Sequence, residues 1–132
     1  MKGLLTTTAV IEVGAGCLLL ALPALAARLL FDPSLQTPAG LTVIRLAGCA
    51  IFSLGMASGL LRGHGQGPAG QATVKALLFY NCGVVGLTLF SSLGLGLSSP
   101  GLWPSAVIHA ALAVWCGRSL WGPEVRSGGP GP

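Results

Sequence analysis

Four long apolar runs, separated by short polar segments, dominate the pattern of this chain. The runs cover about residues 8–30, 41–61, 73–97 and 102–121. Each has roughly the 20 residues that a helix needs to cross the hydrocarbon core of a bilayer. Their Leu, Ala, Gly and Val residues do not alternate with polar residues, which argues against a membrane β-barrel. The pattern therefore predicts an all-α transmembrane protein with four spanning helices.

The segments between the runs carry turn and capping residues. The stretch Asp32-Pro33-Ser34 ends the first predicted helix, and Thr37 can cap the second, with Pro38 in its first turn. Short connections make consecutive helices antiparallel neighbours, so we predict an up-down-up-down four-helix bundle. The bundle forms one domain over residues 1–126, and the Gly- and Pro-rich residues 127–132 form a flexible tail.

The first run could instead be a cleaved signal peptide. Lys2 would be its charged start, and Ala24-Leu25-Ala26 resembles a cleavage site. However, the run is much longer than the roughly 7–15 apolar residues of a signal peptide, and it contains Glu12. These features favour an uncleaved helix.

Composition and charge support a membrane location. Hydrophobic residues make up 52% of the 132 residues and charged residues only 8%, whereas a soluble domain is about a quarter charged. Basic residues predominate on one predicted side, which places both termini in the cytoplasm. That side holds Lys2, Arg62, Lys75, Arg118 and Arg126, and the other holds Arg28 and Arg45. The net charge of +4 follows from this topology, and no basic stripe with aromatic residues suggests a nucleic-acid partner.

Glu12, Asn81 and His109 are polar residues inside the predicted spans. At 1.5 Å per residue they lie roughly 6–9, 12 and 18 Å from the cytoplasmic surface. Tyr80 adjoins Asn81, and Arg45 lies near the outer surface, where it can extend to the headgroups or approach His109. Because ionisable groups in lipid are costly and usually face the bundle interior, we predict a ladder of hydrogen bonds there. The ladder either holds the helices together or forms a binding pocket or proton relay.

Glycines repeat along the second predicted helix. Gly55, Gly59 and Gly63 are four residues apart and follow Gly48, so they share one helix face. Such a GxxxG face lets another backbone approach closely. The neighbour is either another helix of the same bundle, or a second protein or a second copy of the chain.

Metal, cofactor and catalytic signals are weak. The chain has one cysteine in each run, Cys17, Cys49, Cys82 and Cys116, without the paired spacing of a metal site. A haem held by His109 would have no second axial ligand. The Gly-rich loop after the second run follows a helix and not a strand, so it is no dinucleotide site. We predict no metal and no cofactor, and an enzyme ranks behind both of the functional hypotheses given below.

Several segments together resemble a family of small, uncharacterised bacterial four-helix membrane proteins. They are the early Glu12 followed by LLLALPALAARLLF, then IRLAG, LLFYN and LWPSAVIHAALAV, within about residues 9 to 117. The resemblance implies a bacterial inner membrane protein of four helices and no particular activity. It would mark as signature positions Glu12, Pro23, Arg45, Tyr80, Asn81, Trp103, Pro104 and His109. A more distant similarity to DoxX-like proteins has too many departures to carry over their redox associations.

Two functional hypotheses follow. The first is an accessory or interaction subunit of the bilayer, which packs through its glycine-rich faces against a membrane-protein partner or in a homo-oligomer. The second is a small-molecule or proton-handling membrane protein that uses the ladder of Glu12, Asn81 and His109.

Overall fold

The structure, a computed structural model, describes residues 1–122, and every regular element in that range is helical. The five α-helices are α1 (Lys2–Ala21), α2 (Pro23–Leu30), α3 (Pro38–Leu61), α4 (Pro68–Leu89) and α5 (Leu102–Trp121). The all-helical prediction is confirmed for this range. Glu124, Arg126 and the predicted tail 127–132 lie outside the described residues.

Three helical segments are long and apolar enough to cross a membrane: Lys2–Ala21, Pro38–His64 and Pro68–Gly94. This agrees with a membrane location. Helix α5 matches the predicted range 102–121 but is not among the three. Pro104, His109 and Arg118 lower the mean hydropathy of this helix. A fourth crossing therefore stays a prediction.

The first apolar run forms two helices instead of the single helix predicted over residues 8–30. Pro23 has no N–H, and its ring would clash with the carbonyl of Leu19 in a continuous helix. Leu22 accordingly leaves the helical region, with φ −127° and ψ 55°, and Pro23 starts α2. Helix α1 also begins six residues earlier than predicted, because Leu4 and Leu5 are buried in the core.

A cap and two prolines explain where α3 and α4 begin. Thr37 Oγ1 accepts a hydrogen bond from the Gly40 N–H at 3.1 Å, and Pro38 occupies the first turn, as predicted. Pro68 likewise opens α4, five residues before the predicted start at residue 73. At its other end α4 continues as a π-helix over Phe90–Gly94, and the Leu95 N–H bonds the Phe90 carbonyl at 3.2 Å.

Between α2 and α3, Asp32 Oδ1 accepts a hydrogen bond from the Ser34 N–H at 2.7 Å. A short 3₁₀ turn follows over Pro33–Leu35. The hydrogen bond stabilises the ionised form, so it lowers the pKa of Asp32 below its usual value. This connection reverses the chain, so that α3 runs back along α1.

The helices associate as two antiparallel pairs, α1 with α3 and α4 with α5. At the end of the molecule that carries the N-terminus, a core cluster from α1, α4 and α5 joins the pairs: Leu4, Leu5, Val74, Leu77, Leu112, Cys116 and Leu120. At the opposite end, a second cluster belongs to the α1–α3 side alone: Leu19, Ala26, Ala27 and Ile44. There the pairs are tied by a backbone hydrogen bond of 2.6 Å from the Gly101 N–H to the Leu29 carbonyl. Between these two ties the pairs make few contacts.

Candidate functional site

Glu12 lies in the middle of α1, on the face that points into the protein. Its side chain is 1% exposed, and Thr8, one turn earlier on the same face, is also buried. Tyr80 from α4 donates its O–H to Glu12 Oε2 at 3.4 Å. Glu12 Oε1 and Thr8 Oγ1 are buried and have no hydrogen-bond partner among residues 1–122. Within this part of the chain, only one of the two Glu12 carboxyl oxygens therefore has a hydrogen-bond partner.

Asn81 links α4 to α5 through His109. Asn81 is fully buried and donates its Nδ2–H to the Leu77 carbonyl at 2.7 Å. Its Oδ1 lies 2.7 Å from His109 Nδ1. Because the amide nitrogen is already committed to Leu77, Oδ1 must accept, and His109 Nδ1 must carry the proton. A neutral His109 then has Nε2 left as an acceptor.

Tyr80 stands between these two interactions. Its ring packs edge to face against the imidazole of His109, with centroids 5.5 Å apart and an interplanar angle of 82°. We call Glu12, Tyr80, Asn81 and His109 the polar cluster. The sequence predicted one ladder of hydrogen bonds, whereas the structure has two hydrogen-bonded pairs that meet at the Tyr80 ring.

Arg45 does not join the polar cluster. Its side chain is exposed on α3, near the end of the molecule where Leu29 and Gly101 meet. Of the two predicted positions for Arg45, the structure therefore favours the outer one and not an approach to His109.

A cleft of about 470 Å³ extends from the polar cluster into the gap between the helix pairs. Glu12, Tyr80 and His109 line its inner end, and Leu30, Phe31 and Gly101 line its far end. Along α4 and into the π-helix that follows it, the lining continues from Tyr80 to Ser91, which is roughly 16 Å at 1.5 Å per residue. Both volume and lining match pockets for small ligands, which are mostly apolar with a few polar groups.

The sequence analysis missed three further polar residues that line the cleft: Thr88, Ser91 and Ser105. A signal for two of them existed. Tyr80, Val84, Leu87, Thr88 and Ser91 follow the spacing of one helix face, so the polar face that begins at Tyr80 could have been extended.

The predicted packing glycines differ in what they contact, and Gly63 lies beyond the end of α3, in a 3₁₀ turn over Arg62–His64. A Cβ added to Gly55 would lie 2.7 Å from the Val13 backbone nitrogen, and one on Gly48 would lie 2.9 Å from Leu19 Cβ. A Cβ on Gly59 would make an ordinary 3.5 Å contact with Ala9 Cβ, and one on Gly63 would meet nothing within 4 Å. Gly48 and Gly55 therefore serve the contact between α3 and α1 of the same chain.

Within residues 1–122, no group of three or more His, Cys, Asp or Glu side chains is placed to hold a metal ion. The cysteines are free, with Cys116 buried and the other three exposed. The polar groups that the cleft offers are the side chains of Glu12, Tyr80 and His109, next to a large apolar surface. Comparison with protein-family models, curated proteins and solved structures finds no match for the chain.

Proposed function

We propose that this protein is a four-span membrane protein that binds a small lipophilic molecule in the cleft, using Glu12, Tyr80 and His109 to hold its polar end. The observation that carries the proposal is a buried carboxyl group with an unpartnered oxygen at the inner end of a cleft of about 470 Å³. Nearly all buried polar groups in proteins have partners, and an unsatisfied one is costly. A bound molecule would supply the missing partner.

A purely structural role accounts less well for the polar cluster. Polar residues that hold helices together do so by bonding one another across the interface. Asn81 and His109 fit that role, since their 2.7 Å contact joins α4 to α5. Glu12 fits it poorly, because its one bond to Tyr80 is long, at 3.4 Å, and Oε1 has no partner among the described residues.

The membrane setting proposed here is a bacterial inner membrane, with four crossings in an up-down-up-down bundle and both termini in the cytoplasm. Large apolar side chains on the outward faces support contact with lipid, as at Leu60, Phe79 and Leu93. Lys2, Arg62, Lys75 and Arg118 lie at or near the helix ends that meet where the N-terminus lies. This grouping agrees with the rule that basic residues stay in the cytoplasm.

Native mass spectrometry of the protein, extracted gently from its own membrane, tests the proposed function. We expect a small molecule to remain on the wild-type protein. Val84→Trp should remove it, because Val84 lines the cleft and a Trp would fill that space. Val107→Trp is the matched control, since Val107 is 67% exposed on α5 and does not line the cleft. Equal retention by all three proteins would contradict binding in the cleft.

The accessory or interaction role is the second candidate. Because α1 covers Gly48 and Gly55, a partner would need another glycine face, and α4 offers one. A Cβ added to Gly83 or Gly86 would meet nothing within 4 Å. For this role, Gly86→Leu should abolish a homo-oligomer or a stoichiometric complex seen in the same mass spectra. An unchanged complex would contradict it.

A further inference from the structure

Tyr80 and His109 line the cleft beside Glu12, and their hydrogen-bond donors are already in use, whereas Asn81 is fully buried and does not line the cleft. The Tyr80 O–H donates to Glu12 Oε2, the Asn81 amide to Leu77, and the His109 Nδ1–H to Asn81 Oδ1. Among residues 1–122, Glu12 Oε1 and His109 Nε2 have no hydrogen-bond partner, so these two atoms at the inner end of the cleft can bond a ligand. When Glu12 is ionised and His109 is neutral, both atoms only accept. The inner end of the cleft is then complementary to a ligand that brings donors.

The charge around Glu12 indicates the kind of donor. The titratable groups that face it from other helices are Tyr80 on α4 and His109 on α5, while α3 presents the backbone of Gly55. None of these is a permanent cation. An ionised carboxylate in an apolar site needs a positive partner, or it takes up a proton. No residue in the described part of the chain places a positive charge beside Glu12, so a cationic ligand would supply that charge.

The rest of the cleft suits the body of such a ligand. Its walls are largely aliphatic, with Leu18, Ile51 and Leu87 among them, and Phe31 lies at the far end. Tyr80 adds an aromatic ring beside the carboxyl group, where a cation also gains attraction from the π face. The ligand that fits has one positively charged donor group at the end of an apolar body.

We propose that the cleft binds a lipophilic amine as its ammonium ion, and that this ion exchanges with a proton on Glu12. This rests on the proposed function, because it names the ligand class of the same cleft. In the empty site Glu12 is a neutral acid. As the ammonium ion enters, Glu12 releases one proton to water, and the ammonium N–H groups donate to Glu12 Oε1 and His109 Nε2. The site has no net charge before or after the exchange, so neither state leaves an unpaired ion in the apolar cleft.

Two probes with the same skeleton test the charge requirement: 4-phenylbutylamine and 4-phenylbutan-1-ol. Isothermal titration calorimetry on the detergent-solubilised protein should give at least about tenfold tighter binding of the amine, as expected for a desolvated charge pair. Repeating the titration in buffers of different ionisation enthalpy should reveal about one proton released per amine bound. Amine affinity should fall as the pH is lowered, and alcohol affinity should stay constant.

Two variants separate charge from hydrogen bonding. Glu12→Gln removes the charge and should abolish the preference for the amine while the alcohol still binds. Tyr80→Phe removes the hydrogen bond to Oε2 but keeps the carboxyl group, so affinity for both probes falls and the preference remains. If Glu12→Gln does not fold, the comparison of the two probes and the proton count on the wild-type protein still decide the question.

The outcomes distinguish this inference from the proposed function. If the alcohol binds as tightly as the amine and no proton is released, the amine inference is overturned and binding in the cleft stands. The same holds if the native mass spectrum reveals a retained molecule without a basic nitrogen. If neither probe binds and no small molecule is retained, both proposals are overturned.

Discussion

The contact between α1 and α3 and the gap between the two helix pairs are built from opposite kinds of side chain. In the first, Gly16, Gly48 and Gly55 let the backbones touch, so no space remains. In the second, Glu12, Tyr80 and His109 project into the gap, and a cleft of about 470 Å³ lies beyond them. The comparison teaches that the small residues here fix the architecture within one pair. The large polar residues lie where the two pairs stand apart and leave a cleft.

The largest expected effect comes from disrupting the close contact. Gly55→Leu should destabilise the fold by about 3 kcal/mol or more, because the new Cβ would lie 2.7 Å from the backbone nitrogen of Val13, which cannot move aside alone. Thermal or denaturant unfolding in detergent measures the change. Gly14→Leu is the control, since an added Cβ there meets nothing within 4 Å. Equal losses for both variants would mean that α3 does not pack on α1 in this register.

The second-largest expected effect comes from removing the hydrogen bonds of Asn81 in the polar cluster. Asn81→Ala removes the bond to Leu77 and leaves the His109 Nδ1–H without its acceptor, so we expect a loss of about 1–2 kcal/mol. A double-mutant cycle with His109→Ala isolates the 2.7 Å contact. The double variant should lose less stability than the sum of the losses of the two single variants. Strictly additive losses would show that the two side chains do not interact.

Thr8 should respond in the other direction. Its Oγ1 is buried and unpartnered, so Thr8→Val keeps the shape of the side chain and removes an unsatisfied polar atom. We expect a gain in stability of about 1 kcal/mol. Thr6→Val is the matched control, because Thr6 Oγ1 donates to the Lys2 carbonyl at 3.0 Å on the exposed side of α1. A loss of stability in Thr8→Val would indicate that the hydroxyl has a partner, such as an ordered water.

The smallest effect tests the connection that brings α3 back onto α1. The Ser34 N–H lowers the pKa of Asp32 in the folded state. The stabilisation is therefore present above the unfolded pKa of about 3.9 and is lost as the pH falls through the lower folded value. Between about pH 5 and pH 2, the unfolding temperature of the wild type should fall slightly more than that of Asp32→Ala. Parallel curves for the two proteins would mean that the hydrogen bond adds no stability.

The sequence predicted which segments are helical better than it predicted where each helix begins and ends. Long apolar runs are local signals, so the existence of α3, α4 and α5 followed directly, as did the cap at Thr37. The break at Pro23 was missed because the run stays apolar through it, although proline alone disfavours a continuous helix. The early starts of α1 and α4 reflect tertiary burial of Leu4, Leu5 and Gly70, which local patterns do not contain.

The candidate site was predictable as a set of residues but not as a geometry. Glu12, Asn81 and His109 stand out because polar groups are rare in these runs, and all three lie at the junction of the helix pairs. Which of them bond depends on how the helices cross, and that depends on contacts far apart in sequence. The same limit explains Arg45, whose spacing allowed an approach to His109 that the packing of α3 does not provide.

The two ties that bound the cleft also determine its mechanics. The core cluster fixes one end, and the hydrogen bond from Gly101 to Leu29 fixes the other. A gap held at both ends cannot open like a hinge, so it widens only if its helices bow outward. A larger occupant would therefore have to bend α4 and α5 away from α1 and α3.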